Sequence, residues 1–292
     1  MVRLSKIILS LLILAFSFQA QAKNPPPGSG TSDIPANILI MLDTSGSMNS
    51  KLYSSVQVYY PLDVATDSAG NVYVMEYYNN RIKVFDSSGA YLRSFGGYGN
   101  NCNQWRYARQ FTIYDDKIYL ADTYNHMIKV LSLTGSCIIN DGIYSQRTYY
   151  PHALAVNNNY IFIGFGNGYG RLAVMHRNSL RTAGGPQNFN SIHNYAWGMS
   201  LNSAGNKLIV ADYNRNQLIE FNVSGTTLSH SRSSSSTYSG SNGLLRRPTD
   251  AAYDSSGNIY VTDLYNHRLQ KFNSSLSYQA KVGSYSTSAA FR

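Results

Sequence analysis

Residues 61–85 read Pro61-Leu-Asp-Val-Ala-Thr-Asp-Ser-Ala-Gly-Asn-Val-Tyr-Val-Met-Glu-Tyr-Tyr-Asn-Asn-Arg-Ile-Lys-Val-Phe85, and residues 248–272 repeat them as Pro248-Thr-Asp-Ala-Ala-Tyr-Asp-Ser-Ser-Gly-Asn-Ile-Tyr-Val-Thr-Asp-Leu-Tyr-Asn-His-Arg-Leu-Gln-Lys-Phe272. Weaker copies run from Ala108 to Leu131, from Pro151 to Met175 and from Ala196 to Phe221. Arg81, Met127, Arg171, Gln217 and Arg268 fall in one column, with steps of 46, 44, 46 and 51 residues, so five units account for residues 61–283. Within a unit the pattern alternates with period two, as in Arg81-Ile-Lys-Val-Phe85, and Ser-Gly-Asn or Asn-rich turns separate the runs. Each unit therefore reads as a four-stranded meander. Four short strands per repeat at this period predict an all-β chain folded as a β-propeller, because a blade buries its faces only against neighbouring blades. A β-solenoid, the competing architecture, repeats at shorter periods.

Tyr265-Asn266-His267-Arg268-Leu269 and Tyr124-Asn125-His126-Met127-Ile128 resemble the motif of the NHL-repeat family. The resemblance extends over about three quarters of the chain, close in the first, second and fifth units and looser in the third (Asn167 to Arg171) and fourth (Asn214 to Gln217). It implies a propeller of five or six blades that binds proteins, RNA or glycans, with a few related enzymes. Five NHL-like blades over residues 59–292 are expected, or six with a further one. Arg292 stops in register with Arg247, so either the circle closes there onto Tyr60 and Pro61 or the protein continues. Residues 53–59 are available as an extra outer strand to latch the ring.

Glu76 with Arg81 and Asp263 with Arg268 stand at opposite ends of one tight hairpin, where a charge-assisted hydrogen bond would pin the turn. Hairpin support is preferred to chemistry here, because Met127, Gln217 and Gly166 break both columns elsewhere.

The first strand of each blade runs nearest the axis, so residues leading into it should line one mouth of the channel. Successive columns read Tyr60, Tyr107, Tyr150, Tyr195, Arg247; then Leu62, Arg109, His152, Trp197, Thr249; then Asp63, Gln110, Ala153, Gly198, Asp250. Repeat-periodic tyrosines usually serve inter-blade packing. The non-repeating Arg109, His152 and Trp197, with Asp63 and Asp250, form the mixed cluster expected of a ligand-reading mouth.

The N-terminus carries Arg3 and Lys6, an apolar run from Ile7 to Phe16, and Ala20-Gln-Ala22, the pattern of a cleaved signal peptide over residues 1–22. The apolar run is shorter than the roughly 20 residues of a membrane span, so no transmembrane anchor is expected after cleavage. Export to the periplasm, cell surface or medium follows. Loss of Arg3 and Lys6 leaves 22 basic against 15 acidic residues, a net charge of +7 that favours anionic partners. Because the basic residues are scattered and the chain is exported, nucleic acid is not expected as a partner. Charged residues make up 13%, well under the usual quarter, with Tyr, Ser, Asn and Gly in their place. Cys102 and Cys137 both lie in the exported part, where a disulfide persists; two separate buried thiols are the alternative.

A Pro/Gly linker (23–36) leads to Asn37-Ile-Leu-Ile-Met-Leu-Asp43-Thr-Ser45-Gly-Ser47-Met48, a buried-strand pattern ending in DxSxS. It resembles the opening of a von Willebrand factor A domain, as found in type IV pilus tip adhesins. The resemblance implies that Asp43, Ser45 and Ser47 offer oxygens to Mg²⁺, or to Ca²⁺, and that the protein works with pilus or surface machinery. Only residues 37–58 carry it, and three ligands on one loop hold a hard cation weakly. Residues 37–58 are thus the start of an A domain that receives the propeller as an insert, a remnant, or a strand pairing with the propeller edge.

Two functions are weighed. The first is an envelope binding module for a protein or glycan, within an adhesin. The second is an enzyme: some NHL-related lyases hold zinc with histidines at the channel mouth, and Tyr150-Pro-His152-Ala-Leu154 resembles one such segment. Only His152 occupies the right column, since His193 falls before its blade and His126 and His267 belong to the hairpin motif. GxSxG, HExxH, P-loop and CxxC patterns are missing, so no catalytic residue is assigned.

Overall fold

The computed structural model describes residues 57–139 and 150–283, apart from 167, 169, 182, 184–186 and 192. The signal peptide (1–22), the linker (23–36), nearly all of the A-like segment (37–58) with Asp43, Ser45 and Ser47, and the stretch 284–292 lie outside the described residues.

Each repeat folds as the antiparallel meander that its alternation predicts. Blade 1 comprises β1 (Pro61–Thr66), β2 (Val72–Glu76), β3 (Arg81–Phe85) and β4 (Tyr91–Gly96). Blade 2 has β5 (Phe111–Tyr114), β6 (Lys117–Asp122), β7 (Met127–Ser132) and β8 (Cys137–Ile139), and blade 3 has β9 (Pro151–Val156), β10 (Tyr160–Phe165), β11 (Arg171–His176) and β12 (Gln187–Asn188). Blade 4 consists of β13 (Ala196–Leu201), β14 (Lys207–Asp212), β15 (Gln217–Ser224) and β16 (Thr227–Ser233), and blade 5 of β17 (Pro248–Tyr253), β18 (Ile259–Asp263), β19 (Arg268–Phe272) and β20 (Tyr278–Gly283). Together they make a five-bladed β-propeller. Ladder pairing in blade 2 starts at Phe111 rather than at Ala108, although Gln110 still accepts from the Ala121 amide at 2.9 Å.

Turns between first and second strands are built on one side chain. Asp67 Oδ1 accepts from the amides of Ala69 and Asn71, and Asp254 Oδ1 from those of Ser256 and Asn258, which is the local bonding that makes Asp a turn residue.

Four apolar clusters seal successive seams. Tyr73, Met75, Trp105 and Phe111 join blades 1 and 2; Tyr119, Ile128, Leu154 and Phe165 join blades 2 and 3. Phe162, Val174, Met199 and Phe221 join blades 3 and 4, and Ile209, Leu218, Tyr253 and Phe272 join blades 4 and 5. Side chains near the axis add polar links: Asp63 Oδ2 accepts from Phe111 N at 2.8 Å, and Gln110 accepts from Leu154 N at 2.8 Å while donating to Met199 O at 3.3 Å. Cys102 and Cys137 form a disulfide with Cα atoms 5.5 Å apart, tying the loop after β4 to β8. No helix among the described residues is long and apolar enough to cross a membrane.

The hairpin reading of the acid and base columns holds. Arg81 bonds to Glu76, and Arg268 Nε donates to Asp263 at 2.7 Å, across the β2–β3 and β18–β19 pairs that set them opposite one another. Where the arginine is missing another side chain meets the same acid: Lys129 Nζ lies 2.9 Å from Asp122, and His193 Nδ1 3.2 Å from Asp212.

Candidate functional site at the channel mouth

The acid column does more than brace its hairpin. Glu76, Asp122, Asp212 and Asp263 accept from the backbone amides of Tyr59, Arg106, Asn194 and Arg246, fixing the segment that leads into each inner strand. That segment then reverses sharply: Tyr60, Tyr107, Tyr150 and Arg247 all have φ between 48° and 56°, a left-handed backbone that bulky L-residues rarely adopt. One residue into the strand, ladder register shifts between Pro61 and Asp63, between Ala196 and Gly198, and between Pro248 and Asp250, with a matching shift opposite Pro151 and Ala153. Leu62, His152, Trp197 and Thr249 are thus bulge residues, re-aimed by the extra residue as bulges do.

The hairpin that follows each second strand brings further rings to this face, because Tyr77, Tyr124, Tyr213 and Tyr265 donate backbone hydrogen bonds to the carbonyls of Tyr60, Arg106, Tyr195 and Arg246. Aromatic contacts run without a break from Tyr60 through Tyr78 and Tyr107 to Tyr124 and Tyr150, with edge-on centroid distances of 4.8 to 6.4 Å. Tyr60 and Tyr78 are more than half exposed. The mouth tyrosines therefore bridge neighbouring blades at the surface, not inside a seam.

Across the mouth lies a second arrangement. The Arg109 guanidinium sits 4.7 Å from the Tyr77 ring and 4.8 Å from Trp197; Trp197 stacks on Tyr213 at 4.4 Å and 27°; Arg247 lies 4.8 Å from the Tyr213 ring. Tyr77, Arg109, Trp197, Tyr213 and Arg247 thus form one ladder of rings and guanidiniums spanning blades 1, 2, 4 and 5, with cation–π geometry at each charged step. Neither arginine pairs with a carboxylate among the described residues.

His152 packs against this ladder, 4.9 Å from Tyr195 and 5.9 Å from Trp197, with Nε2 3.3 Å from the Tyr195 hydroxyl. It is only 4% exposed and its Nδ1 has no hydrogen-bond partner among the described residues. Burial, aided by the Arg109 charge, lowers its pKa to about 3, so the imidazole is neutral at physiological pH. The ring occupies the space left by Gly166, where a Cβ would stand 2.3 Å from it. Blade 3 lacks the column's acid at the place where it holds this histidine.

Of the residues singled out in the sequence, Arg109, His152, Tyr195 and Trp197 come together, with Tyr60, Tyr107 and Tyr150 on the rim. Asp63 and Asp250 stand one step further along their strands, accepting from the amides of Val64 and Ala251. Burial raises the Asp250 pKa to about 7, while burial and then the nearby Asp250 push Asp63 well above the usual carboxylate range. Gly198 permits this approach, since a Cβ there would meet Asp250 Oδ1 at 2.3 Å. Sequence columns missed Tyr77, Tyr78, Tyr124 and Tyr213, though each follows the acid column by one or two positions, and left Arg247 out of the site. Among the described residues no three of His, Cys, Asp and Glu converge as a metal site.

Residues 58–85 and 245–272 match the family model described as NHL repeat. The two matches fall on blades 1 and 5. The propeller is similar in fold to a streptogramin B lyase structure, at 12% identity and a TM-score of 0.58, covering 82% of this chain and 74% of that one. It is likewise similar to virginiamycin B lyase from Staphylococcus aureus, at 10% identity and a TM-score of 0.53, covering 79% and 72% of the two chains. Comparison with curated protein sequences returns no match.

Proposed function

We propose that this NHL propeller is an exported, non-catalytic binding module that engages a protein or glycan at the cell envelope through the mouth built on Arg109, Trp197 and the rim tyrosines. The observation that carries this reading is the ring-and-guanidinium ladder from Tyr77 to Arg247, which lies across the channel mouth with two cations unneutralised by carboxylates. Aromatic and arginine side chains are the residues that most often dominate binding energy at interfaces. The disulfide is consistent with export. The A-like segment supports a place within an adhesin, with Asp43, Ser45 and Ser47 as its cation ligands. Binding of the mature chain to envelope extracts, measured by pull-down and quantified by surface plasmon resonance, falls at least tenfold in Trp197→Ala and in Arg109→Ala. Undiminished binding in both variants rejects the mouth as the site.

A second reading, a zinc-dependent enzyme of the lyase class to which the two structural neighbours belong, is favoured by His152, whose neutral ring and unpartnered Nδ1 suit a zinc ligand. Purified protein carrying one equivalent of zinc that His152→Ala loses would rank this reading first.

A further inference from the structure

Arginines on the mouth face share an unusual economy. Arg106, Arg109, Arg215, Arg246 and Arg247 take no carboxylate partner among the described residues, whereas Arg81 and Arg268, drawn into their own hairpins, and Arg177 and Arg232 each hold one. The mouth arginines are held by other means. Rings flank Arg106 (Tyr98, 5.2 Å), Arg246 (Tyr238, 4.5 Å), Arg109 and Arg247. Backbone carbonyls of Ser191 and Asn190 hold Arg215, and Asn214 Oδ1 accepts from Arg247 at 2.7 Å. Acids nearby are otherwise engaged: Asp122, Asp212 and Asp263 are buried and accept from their hairpins and the adjoining loop amides, and burial pushes Asp63 and Asp250 above the usual carboxylate range.

A guanidinium clamped face-on by rings keeps its N–H edge for an anion, already oriented and partly desolvated. Arg109 fits this description best. Its Nε is buried without a hydrogen-bond partner among the described residues, and its guanidinium lies between two rings. Planar N–H pairs match the two oxygens of a carboxylate. Around the arginines stand flat, exposed rings (Tyr60, Tyr78, Tyr124, Tyr150, Tyr265), with Leu264, among the described residues, as a comparably exposed aliphatic side chain beside Tyr265. Such a rim offers faces to sugar rings and few pockets for the apolar side chains of a peptide.

We propose that the mouth recognises an acidic polysaccharide, with a uronate carboxylate seated on Arg109 and further carboxylates met by Arg247 and Arg246, while neighbouring sugar rings lie on the rim tyrosines. The inference rests on the mouth being the binding surface and adds the chemistry of its ligand.

Isothermal titration of the mature chain with polygalacturonate tests it, with dextran as the neutral glycan and oligo-deoxythymidylate as the competing polyanion. Polygalacturonate binds and dextran does not, and affinity falls as salt is raised because the contact is ionic. Arg109→Gln weakens binding about tenfold or more, the scale of one lost charged hydrogen bond. Arg109→Lys, which keeps the charge but not the fork, recovers only part of it. Arg247→Gln, further out on the rim, gives a smaller loss and keeps the proposal testable should Arg109 variants fold poorly. Dextran binding as tightly as polygalacturonate, with the arginine variants unaffected and Trp197→Ala impaired, would overturn the acidic ligand yet leave the mouth as the site. Polygalacturonate binding unchanged in Trp197→Ala and both arginine variants would overturn the mouth itself. Tighter binding of the oligonucleotide would replace the polysaccharide by a nucleic acid.

Discussion

Gly166 and His152 show how one missing side chain places another. In the other four blades this position carries a carboxylate that anchors the loop into the inner strand; in blade 3 the imidazole takes that room. Gly166→Ala drives a methyl group into the ring, and overpacking of this kind costs about 1–3 kcal/mol. Thermal melts should show that loss, and the double variant with His152→Ala should recover most of it, since the two changes share one space. A double variant no more stable than Gly166→Ala alone would mean that the backbone, not the histidine, resists the methyl group. Sequence columns put His152 at the mouth correctly. They gave no sign that Gly166 was its counterpart, because the relation is one of volume between two strands and leaves no mark in spacing.

At the level of the element, the second hairpin of each blade is the joint that holds the mouth. Asp263 is fully buried and accepts from Arg268 Nε, the Asn266 and Gln270 side chains and the Arg246 amide. Asp263→Ala leaves a buried guanidinium without its counter-charge, and breaking such a pair costs about 3–5 kcal/mol. Urea unfolding should report that loss, whereas the same substitution at partly exposed Asp86, which braces only its own turn, should cost much less. Equal losses at both positions would deny the joint its role. Acid and base were legible as a hairpin pair from their opposition in sequence. Their second task, bonding the amide of the loop leading into the inner strand, was not, because that loop returns to the hairpin only when the blade closes on itself.

For the whole molecule, the decisive interactions are those between blades. Asp63 and Asp250 approach one another from blades 1 and 5, and Asp250 titrates near 7 instead of near 3.9 as in an unfolded chain. A carboxyl group raised on folding binds more protons in the folded state, so its stabilising effect is complete below the unfolded value and is lost as pH climbs through the folded one. Glu76 and Glu220, held below their ordinary range by their cationic and hydrogen-bonding partners, act in the opposite sense but only in more acidic solution. His152, held at about 3 by burial and protonated below about 6.5 in an unfolded chain, pulls the other way over much of the same range. The melting temperature of Asp250→Asn relative to wild type should therefore rise between about pH 5 and 7, and a difference that stays constant there would contradict the raised carboxyl. The sequence by itself determined the repeat, the meander and the columns that approach the axis, because alternation and turn chemistry act over a few residues and recur at one period; it left five or six blades open, and the structure has five. Only the tertiary structure decided that Tyr77 and Tyr213 join Arg109 and Trp197 in one ladder, that the mouth arginines go without acids, and that Asp63 and Asp250 meet. Most of those contacts join different blades, that of Asp63 with Asp250 the first and the fifth, and closure of the ring sets their geometry.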